Sequence, residues 1–133
     1  MLHELLERQQ RLDHTLQAVL VYSVQTMTDV PLLAHLHALQ KTYPHALRIQ
    51  LHVTRAQISD KSQMIEDMLS SGNLTIFADR VGKAVLRKVT EGMPGGNSCN
   101  VYVCGPPQAT DAWYSDLEGI GYSKNNVYYE RWW

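Results

Sequence analysis

The chain has 133 residues, of which 44% are apolar and 19% charged, and its formal net charge is −1 at pH 7. This length and composition predict one globular domain, residues 1–133. Because acidic and basic residues are interleaved and nearly balanced, we expect no nucleic-acid partner. No apolar run reaches the roughly 20 residues that cross a bilayer, and the first residues lack an apolar secretory core. The expectation is a cytoplasmic protein without a transmembrane segment.

Apolar periodicity divides the chain into alternating helices and strands. Amphipathic patterns predict the helices, and short continuous apolar runs predict strands buried on both faces. The predicted helices are 2–16, a segment opening at Thr28 or Asp29 and closed by Pro44, a segment from Ser59 or Asp60 to Gly72, 80–91 and 108–119. The predicted strands are 18–24, 47–53, 99–104 and 126–130, with a short extended piece at 74–77.

The second helix is predicted in most detail. Thr28 or Asp29 is suited to cap it, and Pro31 is tolerated in its first turn. Its buried stripe is predicted to consist of Leu32, Leu33, Leu36 and Leu39.

Strands that alternate with helices at this spacing predict βαβ crossovers. The expected fold class is α/β, a three-layer sandwich around a mostly parallel sheet of about four strands. In such sheets ligands bind beyond the carboxyl ends of the strands. This rule selects residues 23–29, 54–59, 104–110 and the C-terminal segment.

The corner at Cys104, Gly105 and Pro106 is the most informative of these stretches. A glycine directly after a strand allows close approach of a ligand. The helix that follows directs free N–H groups at the same crevice, which favours an anion. The alternative is a tight strand-to-helix turn with a buried structural cysteine, which is the commoner case.

Two further stretches carry candidate binding groups. Thr54 and Arg55 end the second strand, where a guanidinium can pair with an anionic group; a solvated surface arginine is the alternative. Trp132 and Trp133 either pack against a neighbouring layer or cover a planar ligand or partner. The two cysteines, Cys99 and Cys104, have no metal-motif spacing and suit a reducing compartment, and we expect no metal site.

The order "VYVCGPP", a helix and then "NNVYYERWW" resembles the nicotinamide-binding domain of the ferredoxin reductase superfamily, which includes ferric reductases and NADPH oxidases. "AVLVYSVQT" and "IQLHVTR" look like its second and third strands. The resemblance implies a function: binding NAD(P)H so that a hydride passes to a flavin.

Carried over to this sequence, the resemblance assigns roles by position. It places Cys104, the candidate catalytic residue, Gly105 and Pro106 near the nicotinamide, and Thr54 and Arg55 near the adenosine ribose. It also implies cofactor contacts from Gln25, Thr26 and Gln108 and places Trp132 or Trp133 beside the flavin.

The sequence departs from the family pattern in two respects. It shows no flavin-binding barrel, and it starts after the position of the family's first strand and Gly-rich loop, so FAD would come only through a missing or partner domain. In the family's sheet order that strand separates 18–24 from 99–104. We therefore expect direct pairing of these strands, for example Val21 with Tyr102, or a homo-oligomer or flavin-domain partner at the open edge.

Two functions follow from these observations. The first is an NAD(P)H-binding module of a flavin-dependent oxidoreductase, inactive as the isolated chain. The alternative is a degenerate, non-catalytic relative that serves as an interaction or structural subunit.

Overall fold

The computed structural model describes residues 2–12, 17–55 and 63–131. Its helices are α1 (Leu2–Leu12), α2 (Leu33–Thr42), α3 (Gln63–Ser70), α4 (Lys83–Glu91) and α5 (Pro107–Gly119). Its strands are β1 (Ala18–Val24), β2 (Leu47–Val53), β3 (Leu74–Phe77), β4 (Val101–Gly105) and β5 (Val127–Arg131). The predicted end of the first helix, the start at Ser59 or Asp60, and Trp132 and Trp133 lie outside the described residues. The chain divides into two compact units, 1–80 and 81–133.

The first unit contains a parallel sheet in the order β1-β2-β3. Its register pairs Ala18 with Leu47 and Val24 with Val53, so β1 and β2 match along their whole length. Leu47, Ile49, Leu51 and Val53 alternate along β2 and are all buried. Because alternate residues share one face of a strand, this row forms one apolar face of the central strand.

Helices supply the rest of the first core. Its buried helical residues come from all three helices: Leu6 in α1, Leu36 and Leu39 in α2, and Ile65 and Met68 in α3. These positions are the inward members of amphipathic patterns, which is the spacing that predicted the helices. Burial of such side chains contributes roughly 1.5–3 kcal/mol each.

The second unit contains β4 and β5, which pair in parallel with Val101 opposite Val127. Its core consists of Val103, Leu117, Tyr122 and Val127. Gly121 follows α5 with a φ of +97°, a left-handed conformation that glycine adopts without strain. That turn brings Tyr122 back to the core beside Leu117, to whose carbonyl its N–H donates at 3.0 Å.

The predicted α/β class with parallel strand pairing is confirmed, and the extended piece at 74–77 is the edge strand β3. Direct pairing between 18–24 and 99–104 is wrong: β1 and β4 belong to different sheets, and Val21 pairs with Gln50 instead. The sheet of about four strands is replaced by one of three and one of two strands among the described residues.

The start of α2 also differs from the prediction. Residues Met27–Asp29 form a separate 3-10 turn, so neither Thr28 nor Asp29 caps α2. The N-cap is Leu32, which has a left-handed φ of 63° and is 72% exposed, so it does not belong to the buried stripe. The 3-10 turn at Met27–Asp29 and the Leu32 cap place the start of α2 at Leu33.

Candidate functional site: the carboxyl ends of the strands

Hydrogen bonding between β1 and β2 continues beyond the strands and brings together three predicted site residues. Thr54 N donates to Val24 O at 3.0 Å, and Arg55 N donates to Gln25 O at 2.8 Å. Since the two strands are in matched parallel register, Gln25, Thr54 and Arg55 lie at one edge of the sheet. The prediction from strand order placed them at this edge, and the described backbone does so too.

The side chains at this edge differ in how firmly they are held. The Thr54 hydroxyl donates to Val24 O at 3.3 Å, which ties it to the neighbouring strand. The Thr26 hydroxyl lies 2.9 Å from that of Thr28. Gln25 and Arg55 are exposed to solvent. The edge therefore presents the Gln25 amide and the Arg55 guanidinium to solvent, next to backbone that is held by hydrogen bonds. These donors suit an anionic or hydroxyl-bearing ligand.

A buried histidine lies just inside the same edge. His52 is only 1% exposed; its Nδ1 lies 2.6 Å from Asp79 Oδ1, and its ring stacks on Phe77 at a centroid distance of 4.8 Å. Asp79 follows β3 and is 54% exposed. Neither His52 nor Asp79 was predicted to belong to the site. The partner of His52 was not predictable because the two residues are 27 positions apart.

The predicted corner of the second unit is a short strand-to-helix turn. Pro106 is the N-cap of α5 and Pro107 its first residue. The Thr110 hydroxyl, which is fully buried, donates to Gly105 O at 3.1 Å, and Thr110 N donates to Pro106 O at 3.0 Å. These bonds anchor the first turn of α5 to the end of β4.

The two prolines limit what this helix end offers a ligand. A helix begins with four N–H groups that lack an intrahelical acceptor. Pro106 and Pro107 carry no N–H, so the groups that remain are those of Gln108 and Ala109. The anion site predicted from the helix dipole therefore rests on two backbone donors rather than four.

Gly105 packs against the helix. A Cβ built on this glycine would lie 3.4 Å from Trp113 Cζ3 and 3.8 Å from Thr110 Oγ1, which are ordinary contact distances. Trp113 is itself fixed by a 3.0 Å hydrogen bond from its Nε1 to Val81 O. On this side the indole occupies the space beside Gly105, and the φ of this glycine is not in the left-handed region.

Neither cysteine forms a disulfide. Cys104 is exposed at the end of β4, so the expectation of a buried structural cysteine from residue statistics is wrong at this position. Cys99 lies before β4 and contacts the Tyr122 hydroxyl at 3.0 Å. The structure thus separates an accessible thiol, Cys104, from a partly buried one packed against the core, Cys99.

Two negative findings apply to the described residues. Within 2–12, 17–55 and 63–131, no group of three or more His, Cys, Asp or Glu side chains is arranged to hold a metal ion. In that same part of the chain, no helix has the length and apolar character needed to cross a membrane.

The chain is similar to known proteins at low sequence identity. No family model matches the chain. It is 24% identical over 116 residues to human oxidoreductase NAD-binding domain-containing protein 1 and 23% identical to the cattle protein of that name. These alignments cover 86% of this chain but only 32% and 33% of those proteins, so the chain spans about a third of their length.

Among solved structures, the chain resembles a flavohemoglobin from Malassezia yamatoensis determined with bound FAD and heme. The TM-score is 0.53 at 12% sequence identity, and the match covers 89% of this chain and 32% of that one. The fold is therefore ferredoxin reductase-like, the fold that the sequence resemblance predicted.

Proposed function

Because the chain has a ferredoxin reductase-like fold, we propose that it is the NAD(P)H-binding module of a flavin-dependent oxidoreductase. The observation that carries this proposal is the edge formed by Gln25, Thr54 and Arg55, which the β1–β2 hydrogen bonds hold in register. The names of the human and cattle relatives, which specify an NAD-binding domain of an oxidoreductase, support it.

The residues of the first unit fit the adenosine end of such a nucleotide. The exposed guanidinium of Arg55 matches a ribose phosphate, to which it can donate two parallel hydrogen bonds. Gln25 and Thr26, at the end of β1, provide neutral hydrogen-bonding groups for the pyrophosphate. The whole of 1–133 acts as one binding domain in this proposal.

The resemblance also assigns residues of the second unit to the nicotinamide. Cys104 and Gly105 would lie near the nicotinamide, with Pro106 shaping the turn and the Gln108 N–H available to an anionic group. In such reductases the nicotinamide supplies the hydride and the flavin accepts it. FAD would be held by a further segment or a partner chain, with Trp132 or Trp133 beside it.

Equilibrium titration with NADPH and NADH tests this proposal. The wild-type protein should bind at least one of them below millimolar concentration. Arg55→Ala should weaken NADPH binding by about 1–3 kcal/mol more than NADH binding. The substitution removes a charge-assisted contact to the ribose phosphate that NADPH carries and NADH lacks. Arg48→Ala, which changes an exposed arginine on β2 itself, is the matched control and should change neither affinity.

Two other results of the titration would argue against this proposal. An equal loss for both nucleotides in Arg55→Ala would remove Arg55 from the phosphate site. If neither nucleotide binds at millimolar concentration, the module proposal fails and the non-catalytic alternative is favoured.

One observation favours that alternative, an interaction or structural subunit. β1 is an edge strand: in the described part of the chain it pairs only with β2. Residues 18–23 of this strand are all half-buried. An apolar edge of this kind can add a strand from a partner or a second copy. Light scattering coupled to gel filtration tests it: a dimer disrupted by Val21→Lys supports self-association, and an unchanged monomer contradicts it.

A further inference from the structure

Asp79 lies at the carboxyl edge of the first sheet, next to the strand end that carries Arg55. β2 and β3 are parallel, and their last paired residues are His52 and Phe77. Asp79 follows Phe77 by two residues, and Arg55 follows His52 by three. Because neighbouring strands lie about 4.8 Å apart, the two chain segments leave the sheet side by side. This edge therefore carries an acidic as well as a basic side chain.

The Asp79 carboxylate is fixed in position and is also accessible to a ligand. A carboxylate only accepts hydrogen bonds, so the His52 Nδ1–H donates to Asp79 Oδ1, at a distance of 2.6 Å between the two heavy atoms. The His52 ring is buried and stacks on Phe77, so the donor has a fixed orientation. Asp79 itself is 54% exposed, so its second carboxylate oxygen can accept from a ligand. His52 is too deeply buried to touch the ligand directly.

The acidic and basic side chains at this edge favour different nucleotides. In dinucleotide-binding α/β folds, a carboxylate accepts hydrogen bonds from the ribose of NAD, whereas an arginine accommodates the 2′-phosphate of NADP. Arg55 and Arg80 are both exposed, and among the described residues no hydrogen bond or ion pair fixes either guanidinium. Asp79 is therefore the pre-oriented group of the three. A 2′-phosphate that reached the arginines would also face the negative charge of Asp79, which opposes its binding.

We propose that Asp79 determines the nucleotide specificity of this edge. Its second carboxylate oxygen accepts hydrogen bonds from the ribose hydroxyls of NADH, and its charge disfavours the 2′-phosphate of NADPH. His52 is a positioning residue that holds the carboxylate at the edge. This inference rests on the proposed function and adds to it the group that discriminates between the two nucleotides.

Equilibrium titration of wild type and Asp79→Asn with NADH and NADPH tests the role of Asp79. Asp79→Asn keeps an acceptor oxygen for His52 but removes the charge, so the ratio of NADPH affinity to NADH affinity should rise about tenfold or more. Arg55→Ala in the Asp79→Asn background should abolish the gain in NADPH affinity. Asp67→Asn, which changes an exposed aspartate in α3, is the matched control and should leave the ratio unchanged.

His52→Leu separates the position of the carboxylate from its charge. This variant keeps the Asp79 charge but removes the donor that orients it. NADH affinity should therefore fall about threefold or more while NADPH affinity gains nothing. A purely structural role of His52 would instead change both affinities by the same factor, and that result would overturn the positioning role.

NMR of the wild-type protein provides a measurement that does not depend on any variant folding. The ¹³C resonance of the Asp79 carboxylate should shift saturably with NADH, whereas that of Asp67 should not. A constant Asp79 resonance at saturating NADH, or an unchanged affinity ratio in Asp79→Asn, overturns the role of Asp79 and leaves the proposed function intact. Wild-type protein that binds neither nucleotide at millimolar concentration overturns the proposed function and the role of Asp79 with it.

Discussion

Replacing Asp79 by alanine should destabilise the protein more than replacing His52 by leucine, although His52 is the buried member of the pair. Asp79 Oδ1 lies 2.6 Å from His52 Nδ1, and the second ring nitrogen, Nε2, is buried without a partner. Asp79→Ala therefore leaves a buried imidazole with neither nitrogen satisfied. His52→Leu removes both nitrogens and leaves Asp79, which is 54% exposed, to hydrogen-bond with water.

The magnitudes follow from this asymmetry. A buried donor left without its acceptor costs about 1–3 kcal/mol, so we expect Asp79→Ala to lower the free energy of unfolding by about 2 kcal/mol. His52→Leu loses the stacking on Phe77 and the hydrogen bond but also removes the unpaired Nε2, so we expect a loss of about 1 kcal/mol or less. Asp79→Asn keeps an acceptor oxygen and serves as the matched control, with a loss below about 1 kcal/mol.

Urea denaturation followed by circular dichroism measures these differences as a double-mutant cycle. The double variant His52→Leu/Asp79→Ala should be no less stable than His52→Leu alone, because the carboxylate then has no buried partner to satisfy. The prediction is wrong if the stability of Asp79→Ala stays within about 0.5 kcal/mol of wild type, the range of neutral surface substitutions. It is also refuted if His52→Leu proves the more destabilising single change.

Two further predictions concern backbone strain and pH. Leu32→Asn should raise the free energy of unfolding by about 0.5–1 kcal/mol, because asparagine tolerates the left-handed φ of 63° and can cap α2. Leu32→Ala is the control and should give no such gain. Equal urea midpoints for the two variants would contradict this prediction. Burial and the hydrogen bond with Cys99 raise the pKa of Tyr122 above its usual value of 10.0. Above pH 10 the unfolded chain therefore loses the Tyr122 hydroxyl proton while the folded protein keeps it, and the free energy of unfolding falls. Stability of Tyr122→Phe should fall less steeply between pH 10 and 11 than that of wild type, and parallel slopes would be inconsistent with a raised pKa.

The order and type of the helices and strands could be predicted from the pattern of apolar residues alone. The alternation of "LRIQLHV" predicted β2 at 47–53 with its observed bounds, and the "AVLVYSV" run did the same for β1. The position of Thr54 and Arg55 after a predicted parallel strand was enough to place them at the carboxyl edge of the sheet. Such patterns work because an element's apolar periodicity is set by its own helical or extended geometry.

The contacts between residues far apart in the chain become visible only in the folded protein. It separated β1 and β4 into different sheets, exposed Leu32 in spite of its helical spacing, and brought Asp79 to His52. None of these features has a local signal. Each depends on strand register and helix packing between segments far apart in the chain, and those contacts are settled by the packing of the whole unit rather than by the periodicity of any one segment.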